Sequence, residues 1–404
     1  QSAVPIMLWS TEARRAIVPR GQNGIFDTEN YGNKFPGEAA IYMGIVHAAM
    51  YDVAVAIEGR YRPYVIVLDA PLNTSPEAAI ATAAHHVLVG LDLDLDATGK
   101  KTLDDRYQAS LDSVPDLEAK KNGIAVGRQV ATAMLQLRNL DGIEKHPTLE
   151  DLKPPAPGPG VWDPSGSAVG LRVPGIRPLA LESASQFRPD GPSPLKSSEY
   201  AEDFEQVKRF GHLDGTNRTF DETIMARFWT DHDLRQWNDG LLRLANARGL
   251  GLVDTARMLA MAHVSGADAM IACFDAKYFY WFWRPFEAIP KADTDENPDT
   301  QPDREWRPLG TTPGFPEYPS AHACHTSAVA EALRSFFGTD RIPFSLDSRV
   351  TNTTREYDRF DDVVKEVNRA RVLVGFHFRN SDQEGSILGR RVGRHVVRTF
   401  FRRQ

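Results

Sequence analysis

Cysteine is scarce in this chain: two in 404 positions, Cys273 and Cys324. Two thiols exclude a disulfide framework, so the apolar core must hold the fold. Buried free thiols are the first expectation, ahead of a Cys273–Cys324 bridge. An excess of one charge is also missing. Lys and Arg number 47 against 54 Asp and Glu, for a net charge of −7, which excludes general nucleic-acid binding. Long apolar runs are nearly absent. Only Ala39 to Ile57 approaches the length of a bilayer span, and it contains Gly44, His47 and Asp52. Insertion of such a segment in lipid is costly. It reads as a buried core helix, and no transmembrane segment is expected. Alternation of the β type is missing over any useful length, as is an internal repeat. The chain starts at Gln1 without a signal-like segment. That favours a processed N-terminus and a secreted or periplasmic location over a cytoplasmic one.

What is present is helical periodicity. Apolar residues at three- and four-residue intervals predict helices over 37–58, 76–91, 100–112 and 116–139. The pattern resumes over 198–210, 220–247, 252–284, 320–337, 360–378 and 383–402. Between Lys153 and Pro194, ten prolines and six glycines (Gly166 among them) forbid regular helix. Trp162, Leu171, Ile176 and Phe187 in that stretch indicate an ordered crossing laid over a core. The expected class is all-α, two helical bundles joined by this Pro/Gly-rich segment. The boundaries are an N-terminal bundle over 1–150, the crossing over 151–197 and a C-terminal bundle over 198–404.

Several polar clusters carry no chemistry in this reading. Asp293-x-Asp295-x-Asn297-x-Asp299 imitates a calcium loop, but Pro298 and Arg304 stand where that loop needs glycine and glutamate. An exposed acidic loop is expected. Asp92, Asp94 and Asp96 lack the same residues. Asp231-His232-Asp233 reads as an exposed helix start or cap. Arg390, Arg391, Arg394, Arg398, Arg402 and Arg403 read as a solvated stripe.

Three other stretches supply the parts of an oxyanion site. They are Lys277-Tyr-Phe-Tyr-Trp-Phe-Trp-Arg284-Pro285, Pro319-Ser320-Ala321-His322 and Arg371-Val-Leu-Val-Gly375-Phe-His377. Together they hold three cations, two imidazoles, a hydroxyl and a helix N-terminus, an inventory suited to a tetrahedral anion. Lys277 and Arg284 are seven residues apart, which puts both on one face of a continuous helix. Pro285 should end that helix just after Arg284. Arg371 and His377, six apart, do not share a face. Either the arginine reaches round or Gly375 marks a distortion.

In type, order and spacing these blocks resemble the signature of the vanadium-dependent haloperoxidases and type 2 phosphatidic acid phosphatases, one superfamily. His47-Ala-Ala-Met-Tyr-Asp52, Ser185-Gln-Phe-Arg-Pro189 and Pro316-Glu-Tyr-Pro-Ser320 look like stretches of its larger soluble bacterial members. The resemblance covers roughly residues 30–400, with the catalytic part in about 250–400. There are three departures. Ala321 stands for the usual glycine, Ala370 for a serine and Ser381 for an aspartate four residues after the last histidine. That aspartate tunes the histidine in the phosphatases, so Ser381 or a backbone carbonyl is left to hold His377.

The resemblance implies a vanadate cofactor with His377 as its only protein ligand. Lys277, Arg284 and Arg371 would neutralise its oxygens, with Ser320 and the Ala321 N–H adding hydrogen bonds. His322 would serve as general acid/base and Lys277 would polarise bound peroxide. The implied activity is oxidation of halide by hydrogen peroxide to hypohalous acid, with bromide the expected halide and chloride the second candidate. Phe315 stands where the chloride-oxidising fungal enzymes carry Phe and the algal bromide enzymes His, so it is the halide-tuning position. The alternative is an acid phosphatase acting on small phosphate esters through a phosphohistidine at His377. The third reading is a vanadate- or phosphate-binding protein without turnover. Phosphate should compete for the site in every case, and a homo-oligomer is left open.

Overall fold

The computed structural model describes residues 1–22, 25–26, 28–91, 93–164 and 168–404. Asp92 and Gly166 lie outside the described residues. The first helices are α1 (Val4–Ile17), α2 (Pro36–Glu58), α3 (Pro76–Gly90), α4 (Ala97–Asp112) and α5 (Leu117–Leu137). After the crossing come α6 (Ser198–Gly211), α7 (Phe220–Phe228), α8 (Asp233–Ala247), α9 (Leu252–Tyr280) and the short α10 (Pro285–Ala288). The chain closes with α11 (Ala321–Phe337), α12 (Phe360–Leu373) and α13 (Arg379–Thr399). The all-α expectation holds, with two small antiparallel hairpins added among the described residues. One pairs β1 (Gly21–Gln22) with β2 (Ile25–Phe26), the other β3 (Phe344–Ser348) with β4 (Thr353–Tyr357). The second was not expected; only Leu346, Ser348 and Tyr357 of its residues are buried, so no long apolar alternation announces it.

Helix α9 is the axis of the molecule. It is apolar on nearly all sides, as a helix surrounded by others must be. It lies against α2 from the N-terminal half and against α11 and α13 from the C-terminal half. One continuous core therefore runs from Ile6 to Phe401. Helix α2 is the one described helix long and apolar enough to cross a membrane, and 89% of its apolar window is buried in this core. Helix α13 approaches α11 closely because Gly385, Gly389 and Gly393 line the contact. A Cβ at Gly385 would meet the Ser320 carbonyl at 2.7 Å, and one at Gly393 the Ala328 carbonyl at 2.7 Å. This close approach fixes the N-terminus of α11, where Ser320 N–H also donates to the Ser381 carbonyl at 3.0 Å.

The crossing is held by carboxylates rather than by regular structure. Asp268 of α9, fully buried, accepts from the N–H groups of Leu179 (2.6 Å), Ala180 (2.8 Å) and Leu181 (2.8 Å). Trp162 and Ile176 are buried, and Leu171 and Phe187 pack against the core partly covered, as their apolar character implies. Asp52 of α2 holds the segment at Tyr64, Val65 and Ile66 by the same three-donor device.

Several sequence expectations need correction. Helix α1 was not anticipated, although Ile6, Trp9, Ala13 and Ile17 bury one face of it. The expected helix over 220–247 is broken at Trp229–His232, and α13 begins four residues earlier than read. Asp231, His232 and Asp233 are buried rather than exposed: Asp231 pairs with Arg235 at 2.5 Å and accepts from Arg349 N–H at 2.6 Å. In the acidic loop, Asp293 and Glu296 are exposed, but Asp295 and Asn297 are buried turn-formers. Asp295 accepts from Asn297 N–H at 2.8 Å and from the Thr300 hydroxyl at 2.9 Å. The six C-terminal arginines are exposed as read.

Candidate active site

The site forms where two helices stop and one starts. Helix α9 ends at Tyr280, and Trp281 takes a left-handed conformation (φ 54°) with its N–H on the Lys277 carbonyl at 2.9 Å. Pro285 accounts for the break. Continued helix would drive its ring into the carbonyl of residue 281, and it pushes Arg284 into extended backbone. Arg284 therefore reaches the site from the segment after the helix, not from the same helical face as Lys277. Helix α12 likewise ends at Leu373, and Gly375 turns the chain at φ 81°. A Cβ there would meet the Gly211 carbonyl at 2.7 Å, so both conformation and space demand glycine. Gly375 is the distortion; His377 lies beyond the helix that carries Arg371.

The structure brings the expected residues together. Lys277, Arg284 and Ser320 are completely buried, and Arg371 and His377 are each 2% exposed. Arg284 donates Nε to the Phe315 carbonyl (2.9 Å) and Nη1 to the Phe376 carbonyl (3.0 Å), and Nη1 lies 3.2 Å from His377 Nε2. Arg371 Nη1 donates to the Trp229 carbonyl at 2.6 Å, a group freed by the break between α7 and α8. Burial lowers both guanidinium pKa values to about 10, which leaves them charged at neutral pH. His322 opens on the cavity beside Arg371. Burial, reinforced by that arginine, pushes its pKa down to about 3. Burial also holds His377 well below the usual range, with Arg284, Lys277 and Arg371 adding to it, so both imidazoles are neutral. Ser320 occupies the N-cap of α11, but its hydroxyl does not cap the helix. Ala321 is in ordinary helical backbone, so replacement of glycine there costs no strain.

Lys277 behaves differently from expectation. Its ammonium donates to the carbonyls of Pro316 (2.9 Å), Glu317 (2.9 Å) and Pro319 (2.5 Å). All three protons are taken by the loop that carries Ser320. Burial lowers its pKa to about 8. Phe315 lies against both cations, its ring 5.0 Å from Lys277 Nζ and 4.9 Å from Arg284 Cζ.

Three carboxylates were given no role at the site by the sequence reading. Glu317, not Ser381 or a carbonyl, meets His377: its Oε1 is 2.8 Å from Nδ1. Ser381 instead donates to Glu317 Oε2 at 2.5 Å. Asp382 is buried beside Arg371 and close to the Ser320 hydroxyl without hydrogen-bonding geometry, and burial raises its pKa. Asp233 lies 3.1 Å from His325 Nδ1 and near enough to His322 for its charge to act on that ring. The available signal was weak. Glu317 sits between the motif serine and Phe315, enclosed by prolines and aromatics, where a solvated acid is out of place.

A cavity of about 620 Å³ opens over these groups. His322, Arg371, His377 and Ala321 line it together with Phe35, Val169, Met270, Phe274, Phe315 and Phe376. Phe35 enters from just before α2 and Val169 from the crossing, so both halves of the chain build the wall. On this lining Arg371 Nε and His322 Nε2 are buried without a hydrogen-bond partner, as are Arg284 Nη2 and Ser320 Oγ of the adjoining residues. Such orphaned polar groups are costly unless a ligand meets them, and an acceptor-rich anion suits the arginine and serine donors.

Comparison with known proteins agrees with this geometry. Residues 257–403 match the family model for the VCPO second helical-bundle domain. The vanadium chloroperoxidase of Curvularia inaequalis is 33% identical over 104 residues, which are 23% of this chain and 16% of that protein. The first bacterial vanadium-dependent iodoperoxidase to be solved superposes with a TM-score of 0.79 at 20% identity, covering 100% of this chain and 97% of its own. A holo-type bacterial vanadium-dependent chloroperoxidase gives 0.73 at 14% identity, covering 98% and 97%. The whole chain thus has the helical-bundle fold of those enzymes. Within it, residues 257–403 are similar to the second helical-bundle domain of the VCPO family.

Proposed function

We propose that this protein is a vanadium-dependent haloperoxidase that oxidises bromide with hydrogen peroxide, with chloride as the second candidate halide. The observation that carries the reading is the set of orphaned buried donors around His377. Arg284 Nη2, Arg371 Nε and Ser320 Oγ offer unused hydrogen bonds to an oxyanion, and the charges of the two arginines match it. The residues fit vanadate. His377 Nε2 would ligate it, Arg284, Arg371, Ser320 and the Ala321 N–H would hold its oxygens, and Lys277 would add its charge from behind the loop. Bound vanadate would supply a Lewis-acidic centre, stable in one oxidation state, at which peroxide becomes electrophilic towards halide.

The protein's own groups do the rest. His322, neutral and with Nε2 unpartnered at the cavity, is placed to take up a proton at that atom and release it again as general acid/base. Phe315, Phe274 and Phe376 keep the site apolar, which strengthens each charge acting within it. Phe315, itself non-titrating and packed on the two cations, is the basis for admitting chloride.

The test is a paired assay, bromide-, chloride- and iodide-dependent halogenation with and without added vanadate beside release of p-nitrophenol from its phosphate. Vanadate-dependent halogenation is expected. Phosphatase turnover alone would replace the reading with the acid phosphatase, and binding without either activity with the non-catalytic protein. His377→Ala should lose vanadate binding and halogenation together. His322→Ala should keep vanadate affinity and lose about 10²–10⁴-fold in rate. Equal loss of both in His322→Ala would make it a binding residue.

A further inference from the structure

The two ring nitrogens of His377 have opposite surroundings. Nε2 lies 3.2 Å from Arg284 Nη1, and Nδ1 lies 2.8 Å from Glu317 Oε1. A guanidinium can only donate, so Nε2 must present its lone pair. The neutral ring then carries its proton on Nδ1, directed at the carboxylate. Reversing the assignment, with a proton donated from Glu317 to Nδ1, would set an Nε2–H against the guanidinium N–H. The donor count admits one tautomer.

Glu317 is itself held from several sides. Phe378 N–H donates to Oε1 at 3.1 Å, the Ser381 hydroxyl to Oε2 at 2.5 Å, and Lys277 to the Glu317 main-chain carbonyl at 2.9 Å. It is completely buried. Burial raises its pKa to about 7, opposed by the Ser381 hydrogen bond and by the charges of Arg284 and Lys277. We infer that Glu317, clamped by Ser381, is the positioning residue that locks His377 in the Nδ1–H tautomer and so offers Nε2 to a bound oxyanion. It does from the Pro316–Pro319 loop what an aspartate at position 381 would do from α13, and Ser381 has become its hydrogen-bond donor. A partner of this kind orients a ligating histidine and raises its basicity. The identity of the anion rests on the proposed function; the tautomer does not.

The test uses the full-length protein as wild type, Glu317→Ala, Glu317→Gln and Ser381→Ala. Long-range ¹H–¹⁵N correlation on histidine-labelled protein without vanadate reads the His377 tautomer, its signals assigned through His377→Ala. Calorimetric titration with orthovanadate and with inorganic phosphate reads affinity. Wild type should show Nδ1–H. Glu317→Ala should show mixed tautomers and lose about 10–100-fold in vanadate affinity, as loss of such partners typically costs. Glu317→Gln, whose amide oxygen still accepts, should restore the tautomer and part of the affinity. Ser381→Ala should fall between. If Glu317→Ala fails to fold, Glu317→Met, similar in size and unable to accept, takes its place with the same expectation. An Nε2–H tautomer in wild type overturns the inference. So does wild-type tautomer and affinity in the Ala or Met variant. A wild type that binds neither anion would defeat the functional proposal, while the tautomer comparison would still decide the role of Glu317.

Discussion

Lys277 has three protons and spends all of them on carbonyls of residues 316–319. Its charge is still needed by a bound anion, so its proton affinity should be visible in binding. As pH rises through about 8, Lys277 loses its proton and the site loses a positive charge. Burial pushes Glu317 up to about 7, so that residue gains a negative charge just below the same range. Both changes act in one direction. Phosphate affinity, measured by titration calorimetry, should fall between about pH 6 and about pH 9, and Lys277→Met should flatten the upper part of that fall. A pH-independent affinity in wild type would show that neither group faces the anion. The linkage to folding has the opposite sign. The folded-state pKa of Lys277 lies below its ordinary 10.5, so the native state binds fewer protons than the unfolded state between about 8 and 10.5. Its contribution to stability rises with pH across that window and is lost as pH falls through about 8.

At the scale of elements, carboxylates fasten irregular chain onto helices. Asp268 is the clearest case, with three backbone N–H groups of the crossing on one carboxylate. Asp268→Ala would bury those donors without a partner, and each such group costs about 1–3 kcal/mol. Urea unfolding should show a loss of roughly 3 kcal/mol or more by that count. A loss below about 1 kcal/mol would mean that other contacts hold the crossing. Since Val169 of this segment lines the cavity and bonds the Gly314 carbonyl at 2.9 Å, the variant should weaken anion binding as well. Most helices were legible because their apolar spacing is strong. The breaks at Trp281 and Trp229 were not. A proline displaced its effect four residues upstream, and the carbonyl freed at Trp229 serves an arginine 142 positions away.

At the scale of the whole molecule, α9 joins the two halves into one core, and both cysteines lie within it. Cys273 and Cys324 are buried free thiols, with Cys273 Sγ 3.6 Å from the Pro319 carbonyl. An aromatic disulfide reagent should find no reactive thiol in native protein and two after denaturation, and reductant should leave the melting temperature unchanged. Recovery of no thiol from unreduced, denatured protein would show that a bridge forms.

The sequence by itself determined the helical class and the residue types gathered at the site. Lys277, Arg284, Ser320, Ala321, His322, Arg371 and His377 stood out because their order and local spacing carry information over a few residues. Only the tertiary structure decided which groups meet. Glu317 and His377 are 60 positions apart, and no local periodicity links them. Their contact exists because α13 seats against α11 through its glycines, which sets the Ser381 hydroxyl on the Glu317 carboxylate. Helical spacing records geometry within a turn or two of one chain segment. The choice of hydrogen-bond partner in a dry interior depends on every element packed around it.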